Sequence, residues 1–216
     1  LYPGTPPEAM TALIEGHQPF MNLKAIVFTH NHIDHFSARL TLTALQHRPE
    51  ALLIADESTA DAFLDWSAST SGLPDRDRIR IMTANKGQAE QSVVVPPFTF
   101  TPIQFEHEGR RFVDIVNIGF LVTVGGLRIL YPGDARISAE NYTPLARLQD
   151  SIQIQDAIQK PLDAAVLMFP YVATGRGQSL VRDVIKPRRL IVVHWPDPSR
   201  DSQDFIGQAQ AYFERT

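Results

Sequence analysis

The chain has 216 residues, of which 44% are hydrophobic and 20% charged, and its formal net charge is −4. This composition is typical of a globular protein with one sizeable core, so a single domain over residues 1–216 is expected. The small negative charge provides no basic footprint for nucleic acid or an anionic membrane, and the absence of cysteine excludes disulfides, thiolate metal sites and cysteine nucleophiles.

The first half of the chain alternates predicted strands and helices. A continuously apolar run predicts a buried strand at Ala25–His30, and similar short runs predict strands at Ala51–Ala55 and Ile79–Thr83. The helix predicted at Ser37–His47 begins with a candidate serine N-cap. The helix predicted at Asp56–Ser67 begins with a candidate aspartate N-cap.

The middle of the chain, residues 92–131, is predicted to be a β meander. Gly125-Gly126 predicts a hairpin turn, and Pro96-Pro97 separates two strands. The predicted strands are Ser92–Val95, Phe98–His107, Ile115–Val124 and Leu127–Tyr131.

The last part of the chain returns to a mixture of helix and strand. Apolar runs predict strands at Ala164–Phe169 and Leu190–His194. The predicted helices are Tyr142–Gln159, Ser179–Lys186 and Ser202–Arg215. Combined with the meander, this pattern predicts an α/β layered domain, with sheets packed face to face and helices outside, rather than a purely doubly wound sheet.

The segment T-H-N-H-I-D-H at residues 29–35 concentrates three of the chain's seven histidines. His30, His32, Asp34 and His35 follow a predicted buried strand, and ligands of helix-covered sheets bind beyond the carboxyl ends of strands. The turn into the next helix is expected to swing His35 back inward. Imidazole and carboxylate are the ligands that divalent transition metals prefer when no thiolate is present, so the segment predicts part of a metal site.

Three more residues of ligand type follow predicted strands in the same way. His107 and His194 each end an apolar strand, and Asp134 follows one in the turn Y-P-G-D. Taken singly, Asp134 could be an ordinary turn residue, and each histidine could belong to the core. The recurrence of the arrangement favours metal ligands. His17 and His47 do not share it and are interpreted as surface or hydrogen-bonded residues.

The order of these motifs resembles the metallo-β-lactamase superfamily of hydrolases. The resemblance covers residues 25–195 and rests on T-H-N-H-I-D-H, His107, Gly133-Asp134 and His194. It implies an αββα four-layer sandwich of two mixed sheets with helices outside. The segment H-F-S-A and the late V-V-H-W-P look more like the branch of ascorbate-6-phosphate lactonase and N-acyl-phosphatidylethanolamine phospholipase D.

The resemblance also implies a dinuclear metal site. The seven positions would divide into one set of His30, His32 and His107, a second set of Asp34, His35 and His194, and Asp134 as the bridge. Zinc is the leading metal because it suits histidine-rich sites with oxygen ligands, with manganese and iron as alternatives.

The chemistry implied by two divalent ions is hydrolysis. The ions would lower the pKa of a bridging water, so that hydroxide is available near neutral pH, and would polarise a carbonyl or phosphoryl oxygen. Asp34 would orient this nucleophile and, when partly free of metal, accept or return a proton, and Asp134 would be catalytic as the bridge. The expected function is cleavage of an ester-type bond, in a lactone, carboxylic ester or phosphodiester of a small molecule.

Three rival functions can be compared with the residues and the charge of the sequence. A diiron oxidoreductase of the same fold would be expected to have glutamate where His32 stands, and a metallo-nuclease would need a basic surface. The rival from a different class is a non-catalytic metal-binding or scaffold protein of the same fold. All seven positions carry ligand-capable residues, which favours catalysis.

Candidate substrate contacts are expected on loops that open towards the predicted metal site. Tyr171 and Arg176 are expected on a loop after the strand Ala164–Phe169, and Arg136 follows Asp134. An arginine at such a place can bind a phosphate or carboxylate, although a solvated loop residue is the favoured interpretation of each.

The start of the chain departs from the family pattern. Only 29 residues precede His30, and they are rich in proline and glycine, so the strands with which the family normally begins are either missing here or trimmed. No signal peptide is visible, and no apolar run is long enough to cross a bilayer. A cytoplasmic location is favoured, and the sequence does not fix the oligomeric state.

Overall fold

The structure is a computed structural model that describes residues 6–70, 75–85, 91–156, 161–195, 207 and 211, without the side chains of 150–156. By their internal contacts the residues form two compact units, Pro3–Thr83 and Ala84–Thr216. One unit contains a three-stranded sheet and the other a six-stranded sheet, and both contain helices. The predicted α/β class with two sheets and helices is confirmed, whereas the single domain stays a prediction.

The first unit contains a parallel sheet in the order β1-β2-β3. Because parallel strands need a crossover connection, a helix lies between successive strands in the sequence. The elements are α1 (Pro7–Glu15), β1 (Ala25–Val27), α2 (Ala38–His47), β2 (Leu52–Ala55), α3 (Glu57–Ser69) and β3 (Ile79–Ile81). No strand precedes β1 within residues 6–24, where the structure has helix α1, an element that the sequence pattern does not predict.

The core of the first unit joins the sheet to α2 and α3. Leu45, Leu53 and Phe63, one from each of α2, β2 and α3, are fully buried in one apolar cluster. Both predicted N-caps are confirmed, because Ser37 and Asp56 accept hydrogen bonds from N–H groups in the first turns of α2 and α3. The caps fix where each helix begins after the preceding strand.

The second unit contains a sheet in the order β4-β5-β6-β7-β8-β9, antiparallel as far as β7 and parallel from β7 to β9. The predicted meander is confirmed, and Gly125 and Gly126 take positive φ values of 55° and 82° in its hairpin turn. The elements are β4 (Val93–Val95), β5 (Phe98–Glu106), β6 (Val116–Val124), β7 (Leu127–Tyr131), α4 (Thr143–Asp156), β8 (Ala164–Met168), α5 (Pro170–Ala173), α6 (Gly175–Leu180) and β9 (Leu190–Val193).

Two predictions for the second unit need correction. The loop expected after β8 is replaced by α5 and α6, and a π-helical turn at Val181–Ile185 extends α6. The helix predicted at Ser179–Lys186 therefore begins earlier than expected. The helix predicted at Ser202–Arg215 lies outside the described residues except for residues 207 and 211. Among the helices that the structure describes, none has the length and apolar character required to span a membrane.

Candidate functional site

The first group of candidate ligands follows β1 in the first unit. His30 is fully buried, and its ring lies beside those of His32 and His35, with centroids 4.6 and 4.2 Å away. The N–H groups of His35 and Phe36 donate to the carbonyl of His32 at 2.9 and 2.8 Å. This turn brings His35 back to His30, as the sequence predicted.

Each ligand atom of this group has a close neighbour within the group. Thr29 Oγ1 and His30 Nδ1 lie 3.0 Å apart. With Nδ1 donating to the hydroxyl oxygen, Nε2 carries the lone pair that a metal ion needs. Ring nitrogens of His30 and His32 lie within 4.8 Å of each other, and so do ligand atoms of Asp34 and His35. The first unit therefore contains two neighbouring pairs of candidate ligands.

The second group is centred on Asp134 in the second unit. Its Oδ2 lies 3.8 Å from Nε2 of His107, and its Oδ1 lies 3.7 Å from Nε2 of His194. Both distances exceed the range of good hydrogen bonds. They approach the separation of about 3.4 Å that two atoms bound to one tetrahedral zinc ion would have at bond lengths of about 2.1 Å. A carboxylate that turns one oxygen to each of two histidines has the form of a bridging ligand.

The hydrogen bond of His107 supports a cation at this carboxylate. His107 Nδ1 lies 2.6 Å from the carbonyl oxygen of Glu108, and because a carbonyl only accepts, Nδ1 must donate. In the neutral imidazole Nε2 is then an acceptor, and it faces the carboxylate of Asp134, which is also an acceptor. With a neutral ring, a positive ion between these two acceptors would stabilise the pair, whereas a protonated ring would pair with the carboxylate directly. The donor set of this group therefore fits a divalent metal ion.

The turn that carries Asp134 is bonded to the end of β5. The N–H of Glu108 donates to the carbonyl of Asp134 at 2.7 Å, and His107 forms an isolated antiparallel bridge with Ala135. Gly133 takes a φ of 63° before Asp134, a value that glycine adopts at little cost. The structure therefore places His107 and Asp134 side by side although 27 positions separate their numbers in the sequence.

His194 follows β9 with an unusual backbone. Its φ is 53°, in the left-handed region that residues other than glycine rarely adopt. Such conformations cost free energy and tend to occur at functional sites. In this conformation the imidazole Nε2 lies 3.7 Å from Asp134 Oδ1.

Tyr171 is not on an open loop, and that prediction is wrong because α5 begins at Pro170. Its side chain is fully buried, and its hydroxyl donates to the carbonyl of Ala135 at 2.7 Å and bonds the hydroxyl of Tyr142. Burial raises the pKa of Tyr171 well above its usual value, so the hydroxyl stays protonated as a donor. We do not retain Tyr171 as a substrate contact, because it has no exposed surface.

The two candidate arginines are exposed in the second unit. Arg136 forms an ion pair with Glu106, with Nη1 2.7 Å from Oε2, and its N–H donates to the carbonyl of the same residue. Arg176 lies in α6 rather than on a loop. Their role as substrate contacts stays a prediction.

Sequence reasoning missed Asn117, which lies in β6 and is fully buried. Its Oδ1 accepts from the N–H of Asp134 at 3.1 Å, and its Nδ2 donates to the carbonyl of Pro132 at 2.9 Å. A single asparagine in an apolar strand forms no motif. The available signal is that a buried amide must find hydrogen-bond partners, which here are the backbone groups beside Asp134.

Comparison with known proteins supports one family. A family model described as a β-lactamase superfamily domain matches residues 14–195. A structure from Parabacteroides distasonis, classed as a metal-dependent hydrolase, is 16% identical with a TM-score of 0.56, and the alignment covers 89% of this chain and 73% of that chain. The short form of human tRNase Z is 14% identical with a TM-score of 0.55, over 79% of this chain and 71% of that chain.

A third similar structure has a different activity. CmlA, a diiron β-hydroxylase from Streptomyces venezuelae, is 15% identical with a TM-score of 0.58, over 93% of this chain and 42% of that chain. Identities this low support a shared fold alone. Comparison with curated protein sequences gave no match.

Proposed function

This chain belongs to the β-lactamase superfamily, and from that premise we propose that it is a metal-dependent hydrolase that uses two divalent ions to cleave an ester-type bond in a small molecule. The observation that carries the proposal is the carboxylate of Asp134, whose two oxygens face His107 and His194 separately at 3.8 and 3.7 Å. One ion would bind His30, His32 and His107, the other Asp34, His35 and His194, and Asp134 would bind both.

The residues around each ligand supply orientation. Thr29 and the carbonyl of Glu108 bond Nδ1 of His30 and His107, contacts that would orient Nε2 of each ring toward a metal ion. When bound, the ions would lower the pKa of a water molecule and polarise the bond that is cleaved. Asp34, whose side chain is exposed, would accept a proton from the attacking water and return it to the leaving group.

The substrate class follows from charge and from the resemblance. We propose a lactone or a phosphodiester, as in the branch of ascorbate-6-phosphate lactonase and N-acyl-phosphatidylethanolamine phospholipase D. Arg136 and Arg176 are exposed cations that would bind an anionic part of the substrate. Arg136 would have to exchange its ion pair with Glu106 for that contact.

Zinc is the proposed metal, with manganese and iron as alternatives, because the set is rich in imidazole and lacks sulfur. A diiron β-hydroxylase shares the fold, and tRNase Z shares it too. His32 stands where the resemblance would place glutamate in a diiron oxidoreductase, and the net charge of −4 does not suit a nucleic-acid substrate. Hydrolysis of a small molecule therefore remains the favoured reaction.

The alternative is a non-catalytic metal-binding or scaffold protein, and two measurements separate it from an enzyme. Metal analysis of protein purified without chelator should give two ions per chain, and fewer than one ion would reject the metal site. Turnover of lactones or of bis(p-nitrophenyl) phosphate by the metal-loaded protein would then exclude the scaffold function.

Asp34 gives the sharpest test of mechanism. Asp34→Ala should lower kcat by at least about 100-fold, because it removes a proposed metal ligand together with a proton-transferring group, and general acid–base groups alone contribute roughly 100- to 10,000-fold. The matched control is Asp61→Ala, which removes an exposed carboxylate from α3 and should leave kcat unchanged. Full activity in Asp34→Ala would reject the role assigned to this carboxylate.

A further inference from the structure

Asn117 lies beyond the point at which backbone pairing between β6 and β7 ends. Strand β7 pairs with β6 as far as Tyr131, which lies opposite Phe120. Strand β6 extends three residues beyond this pair to Asn117, which lies opposite Phe105 of β5. The side chain of Asn117 reaches the turn that leaves β7 and bonds two of its backbone groups.

The amide of Asn117 acts on this turn as another peptide group would. It accepts from the N–H of Asp134 at 3.1 Å and donates to the carbonyl of Pro132 at 2.9 Å. These two bonds lie on either side of Gly133, whose φ of 63° makes the turn. One side chain therefore satisfies a donor and an acceptor and fixes the turn between them.

The backbone of Asp134 is consequently fixed at both of its polar groups. Its N–H is bonded by Asn117, and its carbonyl accepts from the N–H of Glu108 at 2.7 Å. Only the side-chain torsions are left to direct the carboxylate, whose oxygens lie near His107 and His194. A shift in the turn would move this carboxylate away from one histidine or the other.

We infer that Asn117 is a positioning residue for the Asp134 carboxylate and sets the affinity for metal, an inference that rests on the proposed function. No other natural side chain supplies the same pair of bonds at this length. Aspartate would present an acceptor to the carbonyl of Pro132, and leucine would leave the N–H of Asp134 and that carbonyl buried without this partner.

The test compares Asn117→Ala with Asp163→Ala. Asp163 Oδ2 accepts from the N–H of Arg128 at 2.9 Å, so this control also removes a bond between a side chain and the backbone of β7, but at the other end of the strand. Zn²⁺ affinity is measured by chelator competition, and exchange of the Asp134 amide hydrogen is measured by NMR in the metal-free protein.

Asn117→Ala should weaken Zn²⁺ binding about 10- to 100-fold, as loss of a residue that supports a metal ligand does. It should also accelerate exchange of the Asp134 amide. Asp163→Ala should lower the thermal unfolding temperature while its Zn²⁺ affinity stays within about two-fold of the parent and its Asp134 exchange is unchanged. Asn117→Ser, which can make one of the two bonds, should show an intermediate loss of Zn²⁺ affinity. It replaces the alanine variant in the test if Asn117→Ala does not fold.

Two outcomes would overturn the inference. One is parental Zn²⁺ affinity in the Asn117 variants, with only the loss of stability that Asp163→Ala also shows. The other is parental exchange at the Asp134 amide. If the parent protein binds no Zn²⁺, the proposed function is rejected, and with it the effect of Asn117 on metal affinity. Exchange of the Asp134 amide would still decide whether Asn117 holds the turn.

Discussion

At the scale of single residues, the hydroxyl groups of Tyr142 and Tyr171 form a buried pair that is bonded to the turn carrying Asp134. Tyr171 donates to the carbonyl of Ala135, and Tyr142 donates in turn to the oxygen of Tyr171. Both side chains are fully buried, and burial raises the pKa of each phenol. The pair therefore stays protonated and neutral in the folded chain at a pH where an exposed tyrosine would ionise.

This pair predicts a loss of stability in alkali. A tyrosine in the unfolded chain ionises near pH 10, whereas Tyr142 and Tyr171 keep their protons when folded. Above pH 10 the unfolded state binds fewer protons, so the free energy of unfolding should fall as pH rises, by up to about 1.4 kcal/mol per pH unit for each tyrosine. Below pH 9 the pair should contribute no pH dependence.

Urea unfolding between pH 8 and pH 11.5 measures this slope. The double variant Tyr142→Phe/Tyr171→Phe should be less stable than the parent at pH 8, because it leaves the carbonyl of Ala135 without its donor. It should also show a shallower decline above pH 10. An equal decline in parent and variant would contradict the assignment of the alkaline loss to these residues.

At the scale of elements, helices α2 and α3 of the first unit begin with caps of different quality. Asp56 is buried, and its Oδ1 accepts from the N–H groups of Ser58 and Thr59 at 3.0 and 3.2 Å. Ser37 accepts from the N–H of Leu40 at 3.5 Å, at the limit of a hydrogen bond. The start of α3 is therefore fixed more strongly than that of α2.

Removing each cap should reveal this difference. Asp56→Ala should lower the free energy of unfolding by about 2 kcal/mol, and Ser37→Ala by about 0.5 kcal/mol, the two ends of the range for N-caps. Asp56→Asn, which keeps an acceptor at the same place, should lose less than the alanine variant. Urea unfolding measures all three, and equal losses for Asp56→Ala and Ser37→Ala would contradict the ranking.

The same elements explain what the sequence could predict. The apolar alternation of β5 ends at Glu106 and the continuous apolar run of β9 ends at Val193, so the next residue in each case, His107 or His194, is predicted at a strand end. The Ser37 and Asp56 caps were readable because their chemistry is local. Predictions succeeded where the signal lies within a few neighbouring residues.

Elements and contacts that depend on distant residues were missed. Helix α1 lies in a segment rich in proline and glycine, where its short apolar stripe of Met10, Leu13 and Ile14 went unrecognised, and α5 has four residues, too few to show a helical period. Tyr171 bonds a carbonyl 36 positions away, and Asn117 bonds an N–H 17 positions away. Neither contact could be predicted before the order of the strands was known.

At the scale of the whole molecule, the seven proposed ligands are divided between the two units. Four lie in Pro3–Thr83 and three in Ala84–Thr216, so the proposed function requires ligands from both units for each ion. A native state that binds Zn²⁺ is stabilised by mass action, by about 2.7 kcal/mol when the free ion is at 100 times its dissociation constant. The stabilisation by Zn²⁺ should therefore fall when a ligand is removed from either unit.

A double-mutant cycle on His30 and His107 tests whether the two units serve one ion. If both histidines bind the same ion, as proposed, His30→Ala and His107→Ala should each abolish most of the stabilisation by Zn²⁺, and the double variant should lose little more than either single variant. This non-additivity is the coupling free energy, which is typically about 0.5–3 kcal/mol for interacting residues. Thermal unfolding with and without Zn²⁺ measures it.

The control cycle combines His30→Ala with His47→Ala. His47 is exposed on α2 and its ring bonds the carbonyl of Thr43 at 2.9 Å, so its removal should leave the stabilisation by Zn²⁺ unchanged and add independently to any other change. Two separate ions, one in each unit, would make the losses from His30→Ala and His107→Ala additive. That result would be consistent with metal binding but would reject the shared dinuclear site. In that site His30 and His107 bind the same ion, so the losses from removing them cannot be additive.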